Sequence, residues 1–279
     1  MRSLVLEISF FGAHYHGWQV QDNAVTVQQV MQDAIEAVLH KREDISGCSR
    51  TDSGVHANSY YFHMRTECII PCDRLVIALN RVLPNDIAVL RCIEVPEEFH
   101  ARYDCAAKEY EYRIWNSSIP NPFLEHMTLM YRWHIDEKLL HEQAQDYIGT
   151  HDFTAFCSQG GGVTECTRTI YSASVHREGD MVIFRVRGNG FLYNMVRIMV
   201  GTLLFIQAKR IKPGSIPQII ASKDRSKAGK TAGPEGLYLN HIYYKAPYDR
   251  LIHPNDLFIP PREVPNYEQM AAQTAKEIK

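Results

Sequence analysis

The sequence predicts an α+β chain of two similar subdomains, each a mainly antiparallel sheet with helices packed on one face. Three observations carry this expectation. Short segments of alternating apolar residues are interleaved with stretches of helical periodicity. Each half of the chain supplies several strands and two helices. No linker rich in Pro, Gly or Ser separates the halves, which meet near Asp104–Lys108. The expected division is residues 1–105, residues 106–247, and an extension over 248–279. At 279 residues the chain is long enough for one large domain or two modest ones.

The elements follow in order. RSLVLEISFFG alternates as a strand, with Leu4, Leu6 and Ile8 on one face. GAHYHGWQ reads as a loop. From Val27 to His40, apolar residues keep the i, i+3, i+4, i+7 spacing of a buried helix face, and Thr26 with Gln29 forms a capping box. The polar CSRTDSGVHANSYYFHMRT leads into a strand near Ser59–Met64. A helix over Cys72–Val82 stops before Pro84, and IAVLRCIEV is a strand. In the second half KEYEYRIWN is a strand, HIDEKLLHEQAQDYIG a helix ended by Gly149, and TRTIYSASVHRE and MVIFRVRG are two strands. A helix over 191–208, a short helix near Ser215–Ser222 and the strand LYLNHIYY close the fold. The tail changes character, with five prolines in residues 247–265 and a final amphipathic stretch. It is expected to pack as an appendage or to fray.

Composition excludes several classes. Hydrophobic residues at 45% and charged residues at 22% rule out wholesale disorder. FLYNMVRIMVGTLLFIQA contains Asn194, Arg197 and Gly201, and an Arg at the bilayer centre costs at least ~2.5 kcal/mol, so this segment reads as a buried helix rather than a membrane span. Seven cysteines, an odd number, and no signal peptide point to free thiols in a reducing cytoplasm, most of them buried as small hydrophobes. The Cys68–Cys72 pair lacks a matching second pair, and His14 and His16 do not build a metal site, so no metal is expected. Gly229-Lys230-Thr231 ends like a phosphate-binding loop, but Asp224 stands where that motif needs its first glycine. Gly188-Asn189-Gly190 lacks the third glycine of a dinucleotide fingerprint, since Tyr193 takes that place.

Three features survive. Arg197 sits amid apolar residues of the 191–208 helix, where it either pairs with an anion or snorkels to solvent. Ser49-Arg50-Thr51-Asp52-Ser53-Gly54-Val55-His56-Ala57 surrounds one acid with small polar residues. It is either an ordinary turn or a rigid loop presenting a carboxylate, for which Arg197 is the natural partner. Tyr110 and Tyr112 share one face of a strand, with Lys108 and Arg113 near them, as core aromatics or as a platform for a nucleobase.

With these stretches the chain resembles the tRNA pseudouridine synthase A family over essentially residues 1–247. SRTDSGVHA is similar to that family's signature. GWQ, TVQQVMQDAI, ALNRVLPNDI, FHARYDCAAKEYEYRI, GTHDFTAF, RTI, GNGFLYNMVRIMVGTLL and GLYL follow the same order as family blocks. The resemblance implies two subdomains related by pseudo-two-fold symmetry, a homodimer, and a tRNA partner. It also implies conversion of uridine to pseudouridine at positions 38, 39 and 40 of the anticodon stem-loop. By position it makes Asp52 the catalytic aspartate, Tyr110 the ring stacking on the target uracil, and Arg197 the partner of Asp52. Arg50, His56 and Leu237 join Tyr110 as substrate-binding candidates. Uracil is detached at N1 and rejoined through C5, so bonds balance and no cofactor is implied. Asp52 would act as nucleophile or as base at C2′, and a neighbouring cation favours its ionised form. The target nucleotide must flip out of its helix. Alternatives are a pseudouridine synthase for another RNA site, a non-catalytic RNA-binding factor on the same scaffold, and a nucleotide hydrolase.

The net charge of −2 argues against a protein coated in positive charge, yet residues 184–232 hold ten basic residues against the single acid Asp224. Beside the signature, this stretch reads as a face that grips phosphates.

Overall fold

Leu4, Leu6 and Ile8 lie buried on β1 (Arg2–Phe10), as their alternation predicts, and Val5 on the opposite face is buried too. Both faces are buried over Leu4–Leu6, so the alternation is only partial. The protein is described from a computed structural model, for residues 1–160 and 165–254.

Along the chain, β1 is followed by α1 (Val27–Leu39), β2 (Ile45–Gly47), β3 (His56–Thr66), α2 (Cys72–Asn80) and β4 (Ile87–Val95). Then come β5 (Cys105–Trp115), the two-residue β6 (Leu129–Met130), α3 (Glu137–Gln145), β7 (Gly149–Asp152), β8 (Thr167–Glu178) and β9 (Met181–Gly188). The described chain ends with α4 (Met195–Gln207), α5 (Ile216–Ser222), β10 (Leu237–Tyr244) and α6 (Tyr248–Ile252). The fold is α+β, with mixed sheet pairing.

Two compact units emerge. One comprises Met1–Lys108 with the segment that begins at Tyr238; the other is Glu109–Leu237. In the first, strands run in the order β4-β1-β3-β10, with β2 added on β3. β1 pairs antiparallel with β3 and β4, whereas β10 joins β3 in parallel, Tyr238 opposite His56. The closing strand, expected within 106–247, therefore belongs to the first unit from Tyr238 onward. Thr26 caps α1 by accepting the Gln29 N–H at 3.4 Å, and Val27, Met31, Ala34 and Ile35 form its buried face. In the second unit the order is β5-β9-β8-β7, with β6 parallel to β5. Helix α3 packs on β8 and α4.

The differences from expectation have local causes. β2 and β7, three and four residues long, are too short for periodicity to register. The 191–208 helix begins only at Met195, because Asn194 has φ 60, a left-handed conformation no helix interior tolerates. Cys48 is buried, but the other six thiols are half-exposed, contrary to the expectation that most are core residues. The extension starts with an ordered turn. Ile252 is buried, its carbonyl accepts from Arg91 Nη1 at 3.1 Å, and His253 lies among Tyr61, Tyr244 and His241. The amphipathic stretch expected at the end lies outside the described residues.

Candidate active site

The loop between β2 and β3 carries Arg50 and Asp52, and His56 opens β3 directly after it. The loop is fastened along its length. Tyr60 donates its hydroxyl to the Ser49 carbonyl. Lys108 Nζ donates to the Cys48 carbonyl at 2.9 Å and to Ser49 Oγ at 3.0 Å. The Trp18 N–H reaches the Thr51 carbonyl at 3.3 Å, and the Gly54 N–H reaches the Tyr15 carbonyl at 3.1 Å. A turn closes through the Val55 N–H and the Asp52 carbonyl at 3.2 Å. Asp52 is half-buried at its start, and Arg50 is exposed.

The GWQ segment explains how the loop is approached so closely. Gly17 has φ 81, and a Cβ there would lie 2.3 Å from the Thr51 carbonyl oxygen. Trp18 stacks on Tyr60, ring centroids 4.2 Å apart, and so stands behind the loop. The turn and the rigid presentation, alternatives in sequence, are both present: an ordinary turn is clamped from behind by aromatic rings and a lysine.

His56 is 1% exposed. Its Nδ1 accepts the Gly12 N–H at 2.9 Å, which places the ring proton on Nε2. Phe11 stacks on one side of the ring at 4.9 Å, and Tyr238 lies 4.6 Å away. His56, a substrate-binding candidate from the sequence, is packed against Gly12, Phe11 and Tyr238 where the loop enters β3. Its neighbour Tyr238 belongs to GLYL, so strand pairing joins that block to the signature.

In the second unit Arg197 is half-buried on α4. Its Nε donates to the Ala232 carbonyl at 2.7 Å and its Nη1 to Asn194 Oδ1 at 2.6 Å. The snorkelling alternative therefore gives way to a tethered guanidinium. The tether depends on the segment 229–232 lying directly on α4. The Gly229 N–H donates to Thr202 Oγ1 at 2.9 Å, and the Ala232 N–H to the Arg197 carbonyl at 3.1 Å. The sequence that resembled a phosphate-binding loop is thus a strap across the helix.

Tyr110 is 7% exposed on β5, its ring edge-on to Phe191 at 5.1 Å and 81°. Tyr112, on the same strand, is core. Its hydroxyl donates to the Gly233 carbonyl at 2.8 Å, and burial pushes its pKa well up. Leu237, 5% exposed, begins β10. Lys108 and Arg113, expected as positive charge beside Tyr110, have protein partners: Lys108 holds the loop, and Arg113 Nε meets Glu111 at 2.8 Å.

The basic stretch divides similarly. Arg185 pairs with Glu111 at 2.6 Å, Lys223 with Asp152 at 2.7 Å, and Arg225 donates to Gly229 and Thr231. Lys209, Arg210 and Lys230 line one cavity of about 640 Å³, together with Tyr131 and Trp133. Among the described residues, no group of three or more His, Cys, Asp or Glu could hold a metal ion. No helix there is long and apolar enough to cross a membrane.

Sequence reasoning passed over Lys108, Tyr60, Asn194 and Ala232 as parts of these networks. Lys108 and Asn194 lie within the blocks FHARYDCAAKEYEYRI and GNGFLYNMVRIMVGTLL, whereas Tyr60 and Ala232 lie in none. A lysine bonded to a loop sixty residues away leaves no local signature.

A family model for tRNA pseudouridine synthase matches residues 8–104 and 143–245. Arg50, Asp52, His56, Arg197 and Leu237 lie in the matched segments, and Tyr110 between them. The tRNA pseudouridine synthase A of Acetivibrio thermocellus is 45% identical over 244 residues, covering 88% of this chain and 100% of the relative. That of Ruminiclostridium cellulolyticum is 44% identical over 245 residues, with the same shares covered. That of Clostridium acetobutylicum is 41% identical over 244 residues, again covering 88% and 100%. With full-length relatives at this identity and the signature loop in a matched segment, the chain belongs to the tRNA pseudouridine synthase family.

Proposed function

We propose that this chain converts uridine to pseudouridine at positions 38, 39 and 40 in the anticodon stem-loop of tRNA, with Asp52 at the reacting centre. Family membership supports pseudouridine formation in tRNA. The observation that carries the assignment of Asp52 is its place in a clamped loop, held through Ser49, Thr51 and Gly54 while the carboxylate stays half-buried. A pre-set acid of this kind does not have to reorganise when charge develops on the sugar.

The reaction breaks the N1–C1′ bond and forms a C5–C1′ bond. The C5 proton is lost and N1 regains one, so the product is an isomer. Asp52 attacks the sugar as nucleophile or removes a proton at C2′. Arg197, its Nε on the Ala232 carbonyl and its Nη1 on Asn194 Oδ1, serves as the cation that favours the ionised Asp52 carboxylate. Tyr110 stacks on the uracil and stops the detached base escaping. Arg50, the exposed basic residue of the loop, contacts RNA beside the flipped nucleotide, and Leu237 flanks the base. His56 holds the loop end.

Lys209, Arg210 and Lys230, exposed and lining one cavity, are assigned to contact phosphates. We further assign the two compact units to the two subdomains of the family, with pseudo-two-fold symmetry. The working form is a cytoplasmic homodimer on tRNA. Tritium release from tRNA labelled at uridine C5, with positions 38, 39 and 40 all replaced by cytidine in the same molecule, tests the site assignment. Loss of release on replacement supports it. Release that survives all three replacements means another uridine is the target.

A further inference from the structure

We infer that Asn194, backed by Ser158, is a positioning residue that aims the Arg197 guanidinium. Three observations meet here. Asn194 precedes α4 in a left-handed conformation, φ 60, and its side chain makes no capping bond to the helix. Its amide is used on both sides instead. Oδ1 accepts from Arg197 Nη1 at 2.6 Å, and Nδ2 donates to Ser158 Oγ at 3.0 Å. Ser158 is fixed in turn, because its N–H donates to the Tyr193 carbonyl at 3.1 Å.

The residue type fits this task closely. Asn tolerates the left-handed region better than other side chains bearing an acceptor. Its amide offers a donor and an acceptor at once, so the oxygen that meets the cation is held by a bond from the nitrogen. A carboxylate at 194 would bind Arg197 more strongly but would neutralise it and leave Ser158 without its donor. The guanidinium is therefore fixed at two corners by neutral groups, the Ala232 carbonyl on Nε and the Asn194 amide on Nη1. Orientation is set while charge is kept.

This inference rests on the reading that Arg197 serves Asp52, and the test separates the two. Asn194→Gly keeps the backbone conformation and deletes the amide. Ser158→Ala removes the support, and Ser158→Thr restores a hydroxyl. Single-turnover rates and tRNA Kd are measured for these three and for Arg197→Met, with thermal melts for folding. The expected result is a rate lowered about 10- to 100-fold in Asn194→Gly with Kd unchanged, the order of loss that a misplaced reacting group produces. A smaller loss in Ser158→Ala should be recovered in Ser158→Thr. If Asn194→Gly melts early, the Ser158 pair decides. Wild-type rates in folded Asn194→Gly and Ser158→Ala, with Arg197→Met inactive, would overturn the positioning role alone. A wild-type rate in Arg197→Met would overturn the reading beneath it as well.

Discussion

Gly201 of α4 lies directly beneath Lys230: a Cβ on Gly201 would stand 1.7 Å from the Lys230 carbonyl oxygen. The contact is with backbone, which no rotamer change relieves. Two residues further on, Ala232 supplies the carbonyl that holds Arg197 Nε. Close approach of strap and helix is therefore a condition for the tether.

Gly201→Ala should lift the strap, at a cost of about 1–3 kcal/mol from overpacking. A thermal melt should fall by several degrees and turnover should drop with it. An unchanged melt would mean that the strap shifts freely and does not fix Arg197.

A second expectation concerns pH and the first unit. His63 on β3 is buried, accepts the Ala101 N–H on Nδ1 at 3.2 Å, and has its pKa lowered to about 4 by burial, with His100 and Arg65 adding to the shift. The unfolded chain takes up this proton first as pH falls below about 6.5, the ordinary histidine value. Stability is therefore present above that value and is lost as pH falls towards 4, by up to about 3 kcal/mol from this group. Chemical denaturation at pH 7.5, 6 and 5 should show the decline, and His63→Gln should flatten it. A decline of equal steepness in the variant would place the pH sensitivity elsewhere.

Much of this was legible in the sequence, for reasons that individual elements make plain. β1 and α1 announce themselves because each repeats its pattern for nine or more residues against a buried layer. β2 and β7 do not, since their partners β3 and β8 define them rather than any period of their own. Asp52, Arg197 and Tyr110 stood out by resemblance, whereas spacing left each with an ordinary structural reading. Charge was the least legible property. Arg185 and Lys108 are identical in sequence terms to a phosphate-gripping residue, yet one pairs with Glu111 and the other holds Cys48 and Ser49. Such partners sit 59 to 74 residues away.

The remaining basic residues give the third expectation. Binding of tRNA should weaken as salt rises, since each phosphate neutralised releases counterions. Replacing Lys209 and Arg210 by alanine should lower the slope of log K against log salt by about 2, one for each contact. An unchanged slope would take these residues out of the RNA interface.

For Arg197 the prediction is a split between chemistry and binding. Arg197→Met should reduce single-turnover rate by more than 100-fold while leaving tRNA Kd within about threefold, because a tethered guanidinium serves the reacting centre rather than the backbone of the RNA. Equal losses in both would make it a phosphate-binding residue.

The most direct test is Asp52→Asn in the tritium-release assay on tRNA labelled at uridine C5. The variant keeps the size of the side chain and the bonds made by the loop backbone, so it should fold and bind tRNA as the parent does. It should release no tritium above background, because neither attack on the sugar nor proton removal at C2′ is open to an amide. Release at the parental rate would contradict the placement of Asp52 at the reacting centre.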